Sequence, residues 1–236
     1  MKLTSLILCL FTNLFFVSAS AETLVSMESL LARPMNARLG EFRKLGDKAQ
    51  IFLNQVAFDR RHSLLERWRA ITTMGRLDPL LFRPQLDRAL ASPEWFMRNA
   101  ALIALKNDER SRAVAWSQRM LEDKALVVRT QAVRNLIELN AREAEPILWE
   151  QISHRRNFRG SESLWIRTHI AEALARFAVQ GRTKKFQRLL LDRDERLHTW
   201  AIIGLENSTG LKMSSGKEPL DIRRQKWLAR LGVEAI

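Results

Sequence analysis

Trp95-Phe96-Met97-Arg98-Asn99-Ala100-Ala101-Leu102-Ile103-Ala104-Leu105 and Leu126-Val127-Val128-Arg129-Thr130-Gln131-Ala132-Val133-Arg134-Asn135-Leu136 decide the fold. In each stretch an arginine follows an apolar triplet, with a small residue three places on, an aliphatic four places on and leucine seven places on. That spacing puts the apolar side chains on one face of an α-helix. Arg98 and Arg129 are 31 residues apart, and a fixed period of this size marks a repeat array.

The same pattern recurs on either side. Arg67 is followed by Ala70, Ile71 and Met74, and Arg167 by Ile170, Ala171 and Leu174. In the last copy His198 takes the arginine's place, ahead of Ala201, Ile202 and Leu205. Successive separations are 31, 31, 38 and 31, so seven extra residues enter once, within the loop 153–163. Each copy leaves room for a second helix before the arginine-bearing one. Leu80, Leu81, Leu86 and Leu90 mark one such helix; Val114, Met120 and Leu121 the next; Ile147, Leu148 and Ile152 the third; Phe186, Leu189 and Leu190 the fourth. Ser92-Pro93, Asp123, Ser161 and Asp192 stand where N-caps of the arginine-bearing helices are expected. No segment alternates as a strand would.

Before the repeats, Leu24, Met27, Leu30 and Leu31 form a weak helical stripe that Pro34 ends, and residues 37–57 read as one helix with a weak point at Gly46. After them, Pro219 opens a last helix carrying Ile222, Trp227, Leu228 and Leu231, expected to cover the open end of the array. The expectation is therefore all-α: about five helix pairs over 60–208, a helical N-terminal cap over 22–59, and a loop with a capping helix over 209–236.

Residues 1–21 read as a secretory signal peptide. Lys2 is followed by the apolar run Leu3–Val17, and Ser18-Ala19-Ser20-Ala21 offers small residues for cleavage. An N-terminal membrane anchor is the alternative. Cys9, the one cysteine, falls inside this run, so no disulfide or thiolate site is expected downstream. Export places the protein in the periplasm of a Gram-negative cell and outside any other, and argues against nucleic acid as a partner. The net charge of +13 favours anionic partners of another kind.

These repeats resemble the HEAT-repeat family, in particular the short bacterial HEAT-like repeats also found in phycobilin lyase subunits. Asp123 with Val128-Arg129, Ala132 and Leu136 carries the best match. Arg98 and Arg167 carry it with Ser92 and Ser161 in the turn, and the Asp192 copy has His198 for arginine. Glu66 stands where the first copy should be apolar, making that copy the poorest. The resemblance spans roughly 60–231 and implies a right-handed α-solenoid whose arginine-bearing helices line the concave side. It also implies a structural ladder of Arg67, Arg98, Asp123, Arg129, Arg167, Asp192 and His198, in which acids and arginines bridge successive turns. HEAT scaffolds serve many functions, so it implies fold more than activity.

No catalytic constellation, metal site or cofactor site is visible. The four histidines, His62, His154, His169 and His198, lack the spacing of a helical metal site. Two surfaces are candidates for binding. On the polar side of the arginine-bearing helices, Arg69, Arg76, Arg134, His169, Arg176 and Trp200 would form a basic groove, against the alternative that Trp200 is core and the arginines are merely solvated. On the loop 153–163, Arg155, Arg156 and Arg159 flank Phe158 and would chelate phosphate or carboxylate, against the alternative of a flexible connector. The expected function is an exported, non-enzymatic scaffold for a protein of the cell envelope. A binder of anionic lipid or acidic glycan is the alternative, and an enzyme on a HEAT scaffold the third reading.

Overall fold

The arginine-bearing stretches fold as helices because their apolar faces find each other. The computed structural model describes residues 27–213 and 217–233. The expected signal peptide, residues 1–21, lies outside the described residues, as does Leu24. The chain divides into two compact units, up to Asp108 and from Glu109.

In the first unit, residues 27–32 are helical. They are followed by α1 (Met35–Leu45), α2 (Asp47–Phe58), α3 (Leu64–Leu77), α4 (Arg83–Leu90) and α5 (Trp95–Leu105). The arginine-bearing helices α3 and α5 lie side by side, α2 backs α3, and α4 backs α5. Gly75 makes the α3–α5 approach possible, since a Cβ there would stand 2.7 Å from the Ala104 Cα.

The sequence-based reading needs three corrections here. Residues 37–57 are two helices, because Gly46 takes φ +53° and breaks the run. Leu80 and Leu81 are exposed and precede their helix, in a turn where Asp78 Oδ1 accepts from both of their backbone N–H groups. Glu66 is not a defect of the first copy. Ser63 caps α3, and Glu66 closes the capping box by accepting from the Ser63 N–H at 2.8 Å.

The second unit contains α6 (Arg110–Met120), α7 (Leu126–Glu138), α8 (Glu145–Gln151), α9 (Ile166–Arg176), α10 (Thr183–Leu190), α11 (His198–Thr209) and α12 (Leu220–Arg230). Its ladder-bearing helices α7, α9 and α11 pack in a row. Helices α6, α8 and α10 each back one of them, giving two layers. Helix α12 lies on α11 with Trp227 and Leu228 buried, as a cap would, although Ile222 stays exposed. Val114, Leu148, Phe186 and Leu190 are buried as their spacing predicts.

The loop 153–163 is the part read least well. A turn of 3-10 helix (Arg155–Asn157) leads into an antiparallel hairpin of β1 (Phe158–Arg159) and β2 (Glu162–Ser163), with Phe158 opposite Ser163. Two-residue strands carry no alternation to detect. The expected N-caps act elsewhere too. Ser92, Asp123 and Asp192 each accept from the N–H two residues on, fixing the turn before the helix, while Ser161 is exposed at the hairpin tip. Among the described residues no helix is long and apolar enough to cross a membrane.

Candidate functional site

The ladder residues are buried: Arg67, Arg98, Arg129, Arg167 and His198 are each between 3% and 6% exposed. A guanidinium taken out of water must have its donors satisfied. Two solutions occur. In the first, the fork meets a carboxylate of the next turn. Arg67 donates to both Glu94 oxygens at 3.0 and 2.5 Å, and its Nε to the Ala57 carbonyl at the end of α2. Arg167 repeats this with Asp192 at 3.3 and 2.6 Å and with the Ile152 carbonyl at 2.8 Å. Each guanidinium also lies over a phenylalanine ring, Arg67 over Phe96 and Arg167 over Phe158.

In the second solution the side chain reaches back to carbonyls of the turn before its own helix. Arg98 donates to Ser92 and Pro93 at 2.8 and 2.9 Å, and Arg129 to Asp123 and Lys124 at 2.8 and 3.2 Å. His198 Nε2 lies 2.8 Å from the Asp192 carbonyl, six residues back as in the two arginine cases. That bond needs a single donor, which explains why an imidazole replaces arginine there. Burial, followed by the Arg156 charge, pulls the Arg129 pKa down, against the pull of Asp123.

Asn157, Glu94 and Arg38 belong to this network, and sequence reasoning missed them. Asn157 is 1% exposed, accepts from Arg129 Nε at 3.1 Å and donates to the Gln151 carbonyl at 2.8 Å. It lies 28 residues after Arg129, as Glu94 lies 27 after Arg67 and Asp192 25 after Arg167. A polar residue at that offset was the available signal. Arg38 reaches back to the Leu31 carbonyl at 2.9 Å in the same manner.

The candidate groove divides by unit. In the first, Arg69 is half-buried and Arg76 exposed, and Arg76 donates to Asn107 Oδ1 on the next copy at 3.1 Å. In the second, Arg134, His169 and Arg176 come together. Glu172 pairs with Arg176 at 2.8 Å and lies 3.8 Å from His169. Trp165 meets the His169 ring edge-on at 5.6 Å. Burial first, then Arg134, lowers the His169 pKa against the pull of Glu172. Trp200 is half-buried.

On the loop, Arg156 is tied to the Glu122 carbonyl at 2.7 Å and Phe158 is covered by Arg167. Arg155 and Arg159 are exposed and have no partner among the described residues. The hairpin borders a cleft of about 670 Å³ with Leu191, Asp192, Arg193, Asp194 and Arg196. Arg196 bridges it, pairing with Asp194 at 2.7 Å and donating to the Ser163 carbonyl at 2.9 Å. Burial raises the Asp194 pKa, and its bonds from Arg196 and Ser163 outweigh that and lower it.

Positive charge also lies off the arginine-bearing helices, where Arg110 is paired with Glu143 at 2.7 Å. Helix α6 carries Arg110, Arg112 and Arg119 with no acid, and α10 carries Lys184, Lys185 and Arg188 with none. Helices α7 and α9 each commit one arginine to the buried ladder. Among the exposed large apolar side chains, several recur two or three residues before a ladder arginine: Leu64 and Leu65 before Arg67, Trp95 before Arg98, Val127 before Arg129, and Trp165 before Arg167. Among the described residues no three His, Cys, Asp or Glu side chains stand together as a metal ion would need. No family model matches the chain, and neither a curated protein nor a solved structure matches it.

Proposed function

We propose that this chain is an exported, non-catalytic scaffold, an α-solenoid of five HEAT-like helix pairs that holds another protein in the cell envelope. The two-layer packing within each unit and the recurrence of the buried ladder support the solenoid reading. The observation that carries the functional reading is the set of exposed apolar side chains ahead of the ladder arginines. Trp95 is 51% and Trp165 41% exposed, while the arginine that follows each is sealed into turns. Exposed tryptophan is a favoured anchor of protein interfaces. The recurring chemistry of each copy thus builds the frame, and the first turn, which differs between copies, is left to bind.

Immobilised protein, with envelope extract applied and eluted by rising salt, tests this. A discrete protein retained at high salt by the wild type and lost with Trp95→Ala/Trp165→Ala is expected. Equal retention by the double variant would remove these side chains as the anchor, and the same comparison with Arg69, Arg134 and Arg176 changed to Glu examines the groove.

The acid-free helix α10, with Lys184, Lys185 and Arg188, favours a second reading, a binder of anionic lipid or acidic glycan. That reading requires binding to fall steeply with salt. Salt-insensitive retention contradicts it.

A further inference from the structure

A second feature lies between two of the backing helices. A cleft of about 400 Å³ separates α8 from α10, with a floor of Pro146, Trp149, Ile152 and Leu189 and a rim of Lys185 and Arg188. The floor is held rigidly. Trp149 donates its indole N–H to Glu145, which is 7% exposed and is clamped by Arg182 at 2.7 and 3.0 Å. The opposite side of the layer fixes the ring as well, since Phe186 meets it edge-on at 5.0 Å. Lys185 Nζ stands 5.1 Å from the Trp149 ring centre. Arg188 is exposed and has no hydrogen bond or ion pair among the described residues. A preorganised apolar floor with two convergent cations suits a ligand that is apolar at one end and anionic at the other.

The geometry points to this cleft as the docking site for a peptide segment of the protein partner, one that sets a carboxylate beside a bulky apolar side chain. The apolar side chain would cover Trp149 and Leu189 while the carboxylate met Lys185 and Arg188. Charge-assisted bonds of this type are the stronger class. The apolar floor is four residues. It is too short to shelter an acyl chain, whose membrane-scale affinity accumulates over many buried methylenes. Glu150, also on the rim, opposes the carboxylate and would keep the affinity moderate. The proposal rests on the scaffold reading above.

Fluorescence polarisation with the full chain and labelled synthetic peptides tests it. One peptide series places Asp or Glu beside Leu or Phe, a second carries the corresponding amides, and a third replaces the apolar residue with Ser. The first series should bind, with the amide and serine series each weaker by about tenfold. Lys185→Glu/Arg188→Glu changes only exposed residues and should abolish binding, while Glu150→Gln should tighten it about threefold. Vesicles of equimolar phosphatidylglycerol and phosphatidylcholine should not compete. Equal binding of acid and amide peptides, retained binding by the double variant, or competition by vesicles would each overturn the proposal. Trp95→Ala/Trp165→Ala separates the two readings. If the peptides fail while these tryptophans still govern retention of a partner, the cleft is wrong and the scaffold stands.

Discussion

Arg129 and Arg167 occupy the same place in neighbouring copies and are equally buried, yet they are held by different chemistry. Arg167 faces the Asp192 carboxylate through both arms of its fork. Arg129 meets carbonyls of Asp123, Lys124 and Arg156 and the Asn157 amide oxygen. The difference shows what each copy requires. The frame needs a buried donor that ties helix to turn, and it accepts either a charge or aligned dipoles as the partner. The carboxylate form couples two turns and demands arginine. The carbonyl form ties a helix to the turn before it, with Arg129 adding Arg156 and Asn157 of the next copy, and where only the bond to the preceding turn is made an imidazole suffices, as His198 shows.

The largest expected effect is at the carboxylate form. Arg167→Ala strands a partly buried Asp192, removes the cover from Phe158 and frees the Ile152 carbonyl. Breaking such a pair costs about 3–5 kcal/mol, measurable by urea unfolding. A loss under about 1 kcal/mol, the range of an exposed pair, would mean that the fork is not a structural joint.

The next effect depends on pH. Arg67 holds the Glu94 carboxyl below its ordinary value of 4.5, chiefly by hydrogen bonding, against the upward push of burial and with a smaller contribution from its charge. A carboxyl whose folded pKa is depressed stabilises fully above its unfolded pKa, and that contribution is lost as pH falls through the folded value. Glu94→Gln should therefore cost about 1–2 kcal/mol at neutral pH and little in acid. Melting temperatures of wild type and variant should converge below pH 4.5. Melting curves that stay parallel well below pH 4.5 would place the carboxylate's contribution elsewhere.

The smallest effect sharpens the carbonyl form. His198→Ala should cost about 1 kcal/mol, the value of one net hydrogen bond. His198→Arg should fall within about 0.5 kcal/mol of wild type, since arginine fills the equivalent place in other copies. If arginine destabilises as much as alanine, the equivalence of the copies fails.

The helical core was legible because a period of three and four residues survives in every copy: Ala132, Val133 and Leu136 are fully buried, as are Ala201, Ile202 and Leu205. Burial of the arginines was legible only through the family resemblance, since an arginine in a helix reads as solvated. Their partners were less visible because they are mostly carbonyl oxygens, which any residue supplies. The hairpin was hidden for a different reason. Its position is set by Asn157 and Phe158 meeting Arg129 and Arg167, and its two-residue strands leave no alternation to read. The charges of α6 and α10 stand in the sequence but outside the recurring arginine pattern. The cleft beside Trp149 depends on two helices distant in sequence and left no local trace.

Arg129→Ala against Arg134→Ala is the most direct test of whether the phased arginines build the frame. The two residues share α7, one 3% exposed and the other on the surface. Equilibrium urea unfolding should show a loss of about 2–3 kcal/mol for Arg129→Ala and a change within about 0.5 kcal/mol for Arg134→Ala. Equal stability of the two variants would contradict a structural role for the ladder.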